Sequence, residues 1–141
     1  RVLFRSADQF LAAPEMADEI ARSRDDLSIP GIRAVFAMAP AIVQSFDPAS
    51  LNRMTVPVCI VLGAADDVAP PTTNGEVAAA SIPGAQIRML PGVGHYDFLS
   101  ECTPAGDVTV RLCPTKVPRA ATHKAAIDDA LAFFDKTLGE P

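Results

Sequence analysis

Val56-Pro57-Val58-Cys59-Ile60-Val61-Leu62 is an apolar run that stops at Gly63 and opens into Ala64-Ala65-Asp66-Asp67-Val68-Ala69-Pro70. Seven residues are too few for most helices, and Val56, Val58, Ile60 and Val61 are β-branched, so the run reads as a strand. Pro57 falls near its start, where a strand tolerates a missing N–H.

Outward from this strand, the flanking segments alternate in type. On the N-terminal side, Ile32 to Met38 is a second apolar run, stopped by Pro40, as expected of a buried strand, and Asp47-Pro48-Ala49-Ser50-Leu51 is a turn leading into a short helix. Further upstream, Pro14 to Arg24 is predicted to be helical, with Pro14 in the first turn and Met16 and Ile20 one turn apart, until Ile29-Pro30-Gly31 breaks it. On the C-terminal side, Thr73 and Glu76 have the spacing of a capping box before the helix at Val77-Ala78-Ala79-Ala80, which Ile82-Pro83-Gly84 ends. Gln86 to Leu90 alternates polar and apolar residues as a third strand. The last helix places Ile127, Ala130, Leu131, Phe134 and Leu138 on one face, and Asp128, Asp129, Asp135 and Lys136 on the other, with Gly139 as its stop. Strands separated by helices imply an α/β chain of parallel strands with right-handed crossovers and flanking helices. In such sheets functional groups collect beyond the carboxyl ends of the strands.

Two loops occupy that position. Gly63-Ala64-Ala65-Asp66-Asp67-Val68-Ala69-Pro70 follows the middle strand, and Gly92-Val93-Gly94-His95-Tyr96-Asp97-Phe98 follows the next one. The Gly-x-x-Asp-x-x-x-Pro spacing of the first is similar to the acid loop of α/β-hydrolases, and the Gly-x-Gly-His of the second is similar to their histidine loop. Acid precedes histidine with a helix and a strand between them. Ala34-Val35-Phe36-Ala37-Met38-Ala39-Pro40 before these loops, and Gly94-His95-Tyr96-Asp97-Phe98 within them, resemble the dienelactone-hydrolase-like and carboxylesterase-like branch. The resemblance covers Ile29 to Leu138 and implies the C-terminal part of an α/β-hydrolase fold.

What the resemblance implies chemically is a Ser-Asp-His triad that cleaves an ester or related acyl bond in a small molecule, with no metal and no organic cofactor. A near-neutral imidazole can take a serine proton and return it to the leaving group, and a carboxylate fixes its tautomer. Asp66 and His95 are the candidate catalytic residues. Asp67 competes with Asp66 as the acid, although the spacing to Gly63 and Pro70 favours Asp66. The position after the preceding strand is Ala39-Pro40 and offers no carboxylate. Gly63, Gly92 and Gly94 are expected to let the backbone turn sharply at the two loops. Asp97 reads as a structural loop residue or helix cap, His123 as a helix-boundary residue, and Tyr96 and Phe98 as packing for the loop. Met38 and Val68 read as core residues, with the lining of a pocket as the alternative.

No Gly-x-Ser-x-Gly elbow occurs in the sequence, so the nucleophile and the oxyanion hole are expected upstream and the chain alone is expected to be inactive. Arg1-Val2-Leu3-Phe4-Arg5-Ser6 spells the translation of a common sequencing-library adapter, so residues 1–6 are expected to be a scar and residues 7–141 a portion of a single hydrolase domain. Two rival classes remain. One is a non-catalytic interaction module on the same scaffold, and the other is a hydrolase-fold enzyme of different chemistry, such as a lyase or dehalogenase.

Composition narrows the partners. The 141 residues are 49% hydrophobic and 21% charged, which suits one globular domain. A net charge of −5, with scattered cations, argues against nucleic acid and anionic membranes. No apolar stretch approaches the roughly 20 residues of a membrane span. Cys59 lies in the middle strand as a small buried hydrophobe. Cys102 and Cys113 bracket the turn-rich segment Thr103-Pro104-Ala105-Gly106-Asp107 and could form a disulfide, which would favour export, or remain free thiols. Neither a Cys-x-x-Cys nor a paired histidine spacing suggests a metal site.

Overall fold

The structure, a computed structural model, describes Gln9, residues 11–23, Asp25 and residues 28–139. The expected scar at residues 1–6 lies outside them. The chain forms two compact units, residues 1–31 and residues 32–141.

In the first unit a 3₁₀ turn at Pro14–Met16 runs into helix α1, Ala17–Arg22. Proline at the first position and Glu15, Asp18 and Glu19 near the amino end favour this start. Ser23 ends it, its Oγ donating to the Ile20 carbonyl at 2.7 Å. The expected extension to Arg24 falls outside the described residues.

The second unit is built on a three-stranded parallel sheet in the order β1-β2-β3, with β1 at Val35–Met38, β2 at Val58–Gly63 and β3 at Gln86–Leu90. Strand β2 is central and every residue of it is buried, as its unbroken apolar run requires. Its ladder begins after Pro57, which has no N–H to donate, and the Val35 amide bonds the Pro57 carbonyl at 2.9 Å. That start also shortens β1, which does not extend back to Ile32 as expected. Beyond β1 the backbone takes positive φ at Ala39 (43°) and Ile42 (59°), a conformation that a β-branched residue rarely adopts.

Side chains alternate across the sheet. Val58, Ile60 and Leu62 face helix α3, Gly75–Ser81, and form the core with Val43, Ala78 and Ile82. The short helix α2, Pro48–Asn52, is capped by Asp47, which accepts from the Ala49 amide at 2.9 Å. The capping box expected from Thr73 and Glu76 is absent. Pro70-Pro71 draws Thr73 into a 3₁₀ turn, so the helix starts one residue late and Asn74 occupies the cap position. The buried Asn74 side chain instead accepts from the Val43 amide at 3.3 Å and donates to the Pro70 carbonyl, tying the loop after β1 to the start of α3.

The long C-terminal helix α5, Arg119–Leu138, covers the other face, where the Phe36 ring meets those of Phe133 and Phe134 in tilted contacts and Arg88 pairs with Asp129 at 3.5 Å. Its buried stripe is Thr122, Ala126 and Phe133, not the predicted one. Ala130, Phe134 and Leu138 are half-buried, whereas Ile127 and Leu131 are 56% and 59% exposed. The apolar periodicity marked a helix correctly but placed its seam off the sheet, because Phe36 meets the edge formed by Phe133 and Phe134. The turn-rich segment between Cys102 and Cys113 contains a helix, α4 at Pro104–Thr109, with Thr103 accepting from the Gly106 amide as its cap. Met38 and Val68 are both exposed, so neither is a core residue. Among the described residues no helix is long and apolar enough to cross a membrane.

Candidate active site

Strands β2 and β3 end side by side, so the loops that follow them meet. The Ala64 amide bonds the Leu90 carbonyl and the Ala65 amide the Val93 carbonyl, both at 2.9 Å, which continues the ladder into the two loops. This contact explains Gly63 differently from the expected sharp turn. A Cβ on Gly63 would collide with the Val93 carbonyl, so glycine is needed for close backbone approach. Gly92 does turn through positive φ (73°), whereas Gly94 is extended. Gly94 precedes a 3₁₀ turn at His95–Phe98, and its amide donates to Asp97 Oδ2 at 2.8 Å. Asp97 is therefore the buried cap of the histidine loop.

These loops bring Asp66 and His95 together. His95 Nδ1 lies 2.8 Å from Asp66 Oδ2. The other carboxylate oxygen accepts from the amides of Val68 at 3.0 Å and Ala69 at 2.7 Å, an Asx-type turn that fixes its orientation. The Asp66 side chain is 2% exposed and that of His95 is 21% exposed. Asp67 is exposed, and the hydrogen bond to His95 is made by Asp66. A carboxylate only accepts, so the neutral imidazole carries its proton on Nδ1 and its lone pair on Nε2. Nε2 has no hydrogen-bond partner among the described residues. Tyr96 meets the imidazole edge to face, with ring centroids 5.3 Å apart.

His95 opens onto a cavity of about 200 Å³. Its lining comes from the acid and histidine loops, Asp67, Gly92, Gly94 and Tyr96 among them, and from a second stretch of wall at Arg111, Leu112, Pro114, Thr115 and Lys116. This second wall is absent from the sequence reading, which singled out no residue between Cys113 and the last helix. It is held by a disulfide between Cys102 and Cys113, whose Cα atoms are 5.9 Å apart. Cys102, Asp107 and Cys113 cluster closely, but the two sulfurs are bonded to each other and offer no thiolate to a metal. His123 lies one turn inside α5, its Nε2 2.8 Å from the Leu99 carbonyl. Burial pushes the Cys59 thiol up, Asp129 adds to the effect and Arg88 opposes it, so Cys59 is a neutral core side chain.

No protein-family model matches the chain, and no curated protein matches it. Among solved structures, the chain is similar to a bromoperoxidase from Bacillus anthracis, with 20% identity, a TM-score of 0.40, and 63% of this chain and 24% of that one covered. It is also similar to a predicted CIB-like hydrolase from Thermoplasma acidophilum, with 21% identity, a TM-score of 0.44, and coverage of 70% and 44%. A third is a hydrolase from Pseudomonas aeruginosa PA01, with 26% identity, a TM-score of 0.36, and coverage of 60% and 24%. The chain thus spans between about a quarter and under half of the length of these proteins.

Proposed function

We propose that Asp66 and His95 are the acid and general base of a serine hydrolase of the α/β-hydrolase fold, with dienelactone-hydrolase-like or carboxylesterase-like activity on a small or medium acyl substrate. The observation that carries this reading is the 2.8 Å bond between His95 Nδ1 and Asp66 Oδ2, with Nε2 of the same ring left free beside a cavity. In this arrangement Nε2 takes the proton from an attacking serine and delivers it to the leaving alkoxide. Asp66, pinned by two backbone amides, holds the ring in that tautomer and stabilises the imidazolium formed in passing. The serine and the oxyanion-hole amides come from sequence upstream of Ala7 in this proposal, and neither a metal nor an organic cofactor takes part.

The test is hydrolysis of short-chain p-nitrophenyl esters by the protein carrying its upstream sequence. Asp66→Asn should lower kcat by about 10⁴-fold, the loss seen when a triad carboxylate is neutralised in serine proteases. His95→Ala should abolish turnover, while Asp67→Asn stays within a few-fold of the parent, and the 141-residue chain alone gives none. Equal losses from Asp67→Asn and Asp66→Asn would sink the assignment.

A further inference from the structure

Arg119 opens helix α5 and takes no part in the acyl-transfer chemistry proposed above. It is only 6% exposed, and a cation on the first residue of a helix opposes the helix dipole. A buried guanidinium needs compensating acceptors, and among the described residues no carboxylate supplies them. Instead Nη1 donates to the Ser100 carbonyl at 2.7 Å and to Cys102 Sγ at 3.1 Å, Nη2 donates to the Leu112 carbonyl, and Nε is buried without a partner among the described residues. One planar fork thereby grips the chain where it enters the disulfide-closed loop and where it leaves. Arg111, Leu112, Pro114, Thr115 and Lys116, around and beyond the second grip, line the cavity onto which His95 opens.

We infer that Arg119 is a positioning residue which, together with the Cys102–Cys113 disulfide, latches the wall at residues 111–116 against the His95 cavity, and that reduction of this disulfide by a dithiol releases the wall. The inference rests on the hydrolase reading only in taking this cavity as the substrate side. In the reaction, a thiolate of the reductant attacks Cys102 Sγ, the half-buried sulfur, while Cys113 is buried. A mixed disulfide forms at Cys102, and the Cys113 thiolate leaves and takes a proton from solvent. The second thiol of the reductant then closes its own disulfide and expels Cys102 as a thiolate beside the Arg119 guanidinium. Two electrons pass from the dithiol to the protein. The adjacent cation favours the thiolate, which stabilises the reduced form.

The test compares the oxidised 141-residue chain with the same chain in dithiothreitol. Amide hydrogen exchange at residues 111–116 should quicken by about tenfold or more on reduction, with β2 and β3 changing by less than about twofold. In the reduced protein, alkylation of Cys102 by iodoacetamide should reach its half-maximal rate clearly below the pH of about 8.5 expected of a free thiol, and return towards it in Arg119→Met. Arg119→Lys, which keeps the charge but loses the fork, should speed exchange at 111–116 with the disulfide intact. Unchanged exchange at 111–116 on reduction, equal loosening of the whole sheet, or an ordinary alkylation profile for Cys102 would overturn the latch. If the Arg119 variants do not fold, the reduction and alkylation data on the unmodified chain still decide. None of these readouts involves ester hydrolysis, so they stand or fall separately from the activity assay.

Discussion

At the scale of single residues, two demands made by the site are met by side-chain absence and by burial. Gly63 lies where the acid and histidine loops come into backbone contact, and an added methyl would drive the Val93 carbonyl away from the Ala65 amide. Gly63→Ala should therefore cost more than about 2 kcal/mol of stability, as overpacking against backbone does. Urea unfolding measures this, and a loss below 0.5 kcal/mol, about the level of a neutral surface change, would show that the loops can separate freely. Cys59 carries a pH signature. Its thiol is held protonated to a higher pH in the folded state than in the unfolded one, chiefly by burial. The associated stability is complete below the unfolded thiol range, near pH 8.5, and is lost as pH rises through the folded value. Stability should thus fall more steeply above that pH in the parent than in Cys59→Val, and parallel curves would refute the linkage. The spacing to Gly63 and Pro70 already favoured Asp66 over Asp67, and the structure adds the geometry, with one Asp66 oxygen held by the amides of Val68 and Ala69 and the other beside His95 Nδ1.

At the scale of elements, α5 separates periodicity from packing. Phe133 is buried against Phe36, so Phe133→Ala should destabilise by about 3–5 kcal/mol, the range for emptying an aromatic site in a core. Ile127 and Leu131 belong to the same sequence stripe yet face outward, so Ile127→Lys and Leu131→Lys should each change stability by less than about 0.5 kcal/mol. Thermal melts of the three variants check the contrast, and a large loss from either lysine would mean that the predicted face is covered after all. The 3.6-residue repeat shows only that apolar residues share a stripe. Which neighbouring stripe meets the sheet depends on where Phe36, Arg88 and Cys59 stand across from it. Strand β3, by contrast, matched its predicted limits at Gln86–Leu90, because Gly84 and Pro91-Gly92 confine it on both sides.

At the scale of the molecule, the sheet of the second unit has β1 and β3 as its edges, and Met38 on β1 and Ile87 and Met89 on β3 are exposed. Exposed apolar edge strands offer unpaired backbone groups to a second chain. Concentration-dependent association is the expected behaviour in sedimentation, and Met38→Lys combined with Met89→Lys should reduce it, since charged edge residues oppose pairing. A chain that sediments as a monomer at every concentration, with or without those lysines, would show that the edges are protected.

The α/β class, the parallel sheet, the order of its strands and of the helices other than α4, and the two loops that carry Asp66 and His95 were legible along the chain. Each of these follows from local rules, namely apolar runs too short for helices, glycine and proline at their ends, and the length needed for a crossover. Which side of α5 is buried, that the Asn74 side chain ties the start of α3 to Val43 in place of a capping box, and that residues between 111 and 116 line the cavity beside His95 follow from tertiary packing alone. These depend on groups far apart along the chain. Arg119 reaches Ser100 and Leu112, Asn74 reaches Val43, and Cys102 reaches Cys113, and no pattern within a single turn or strand records such distances.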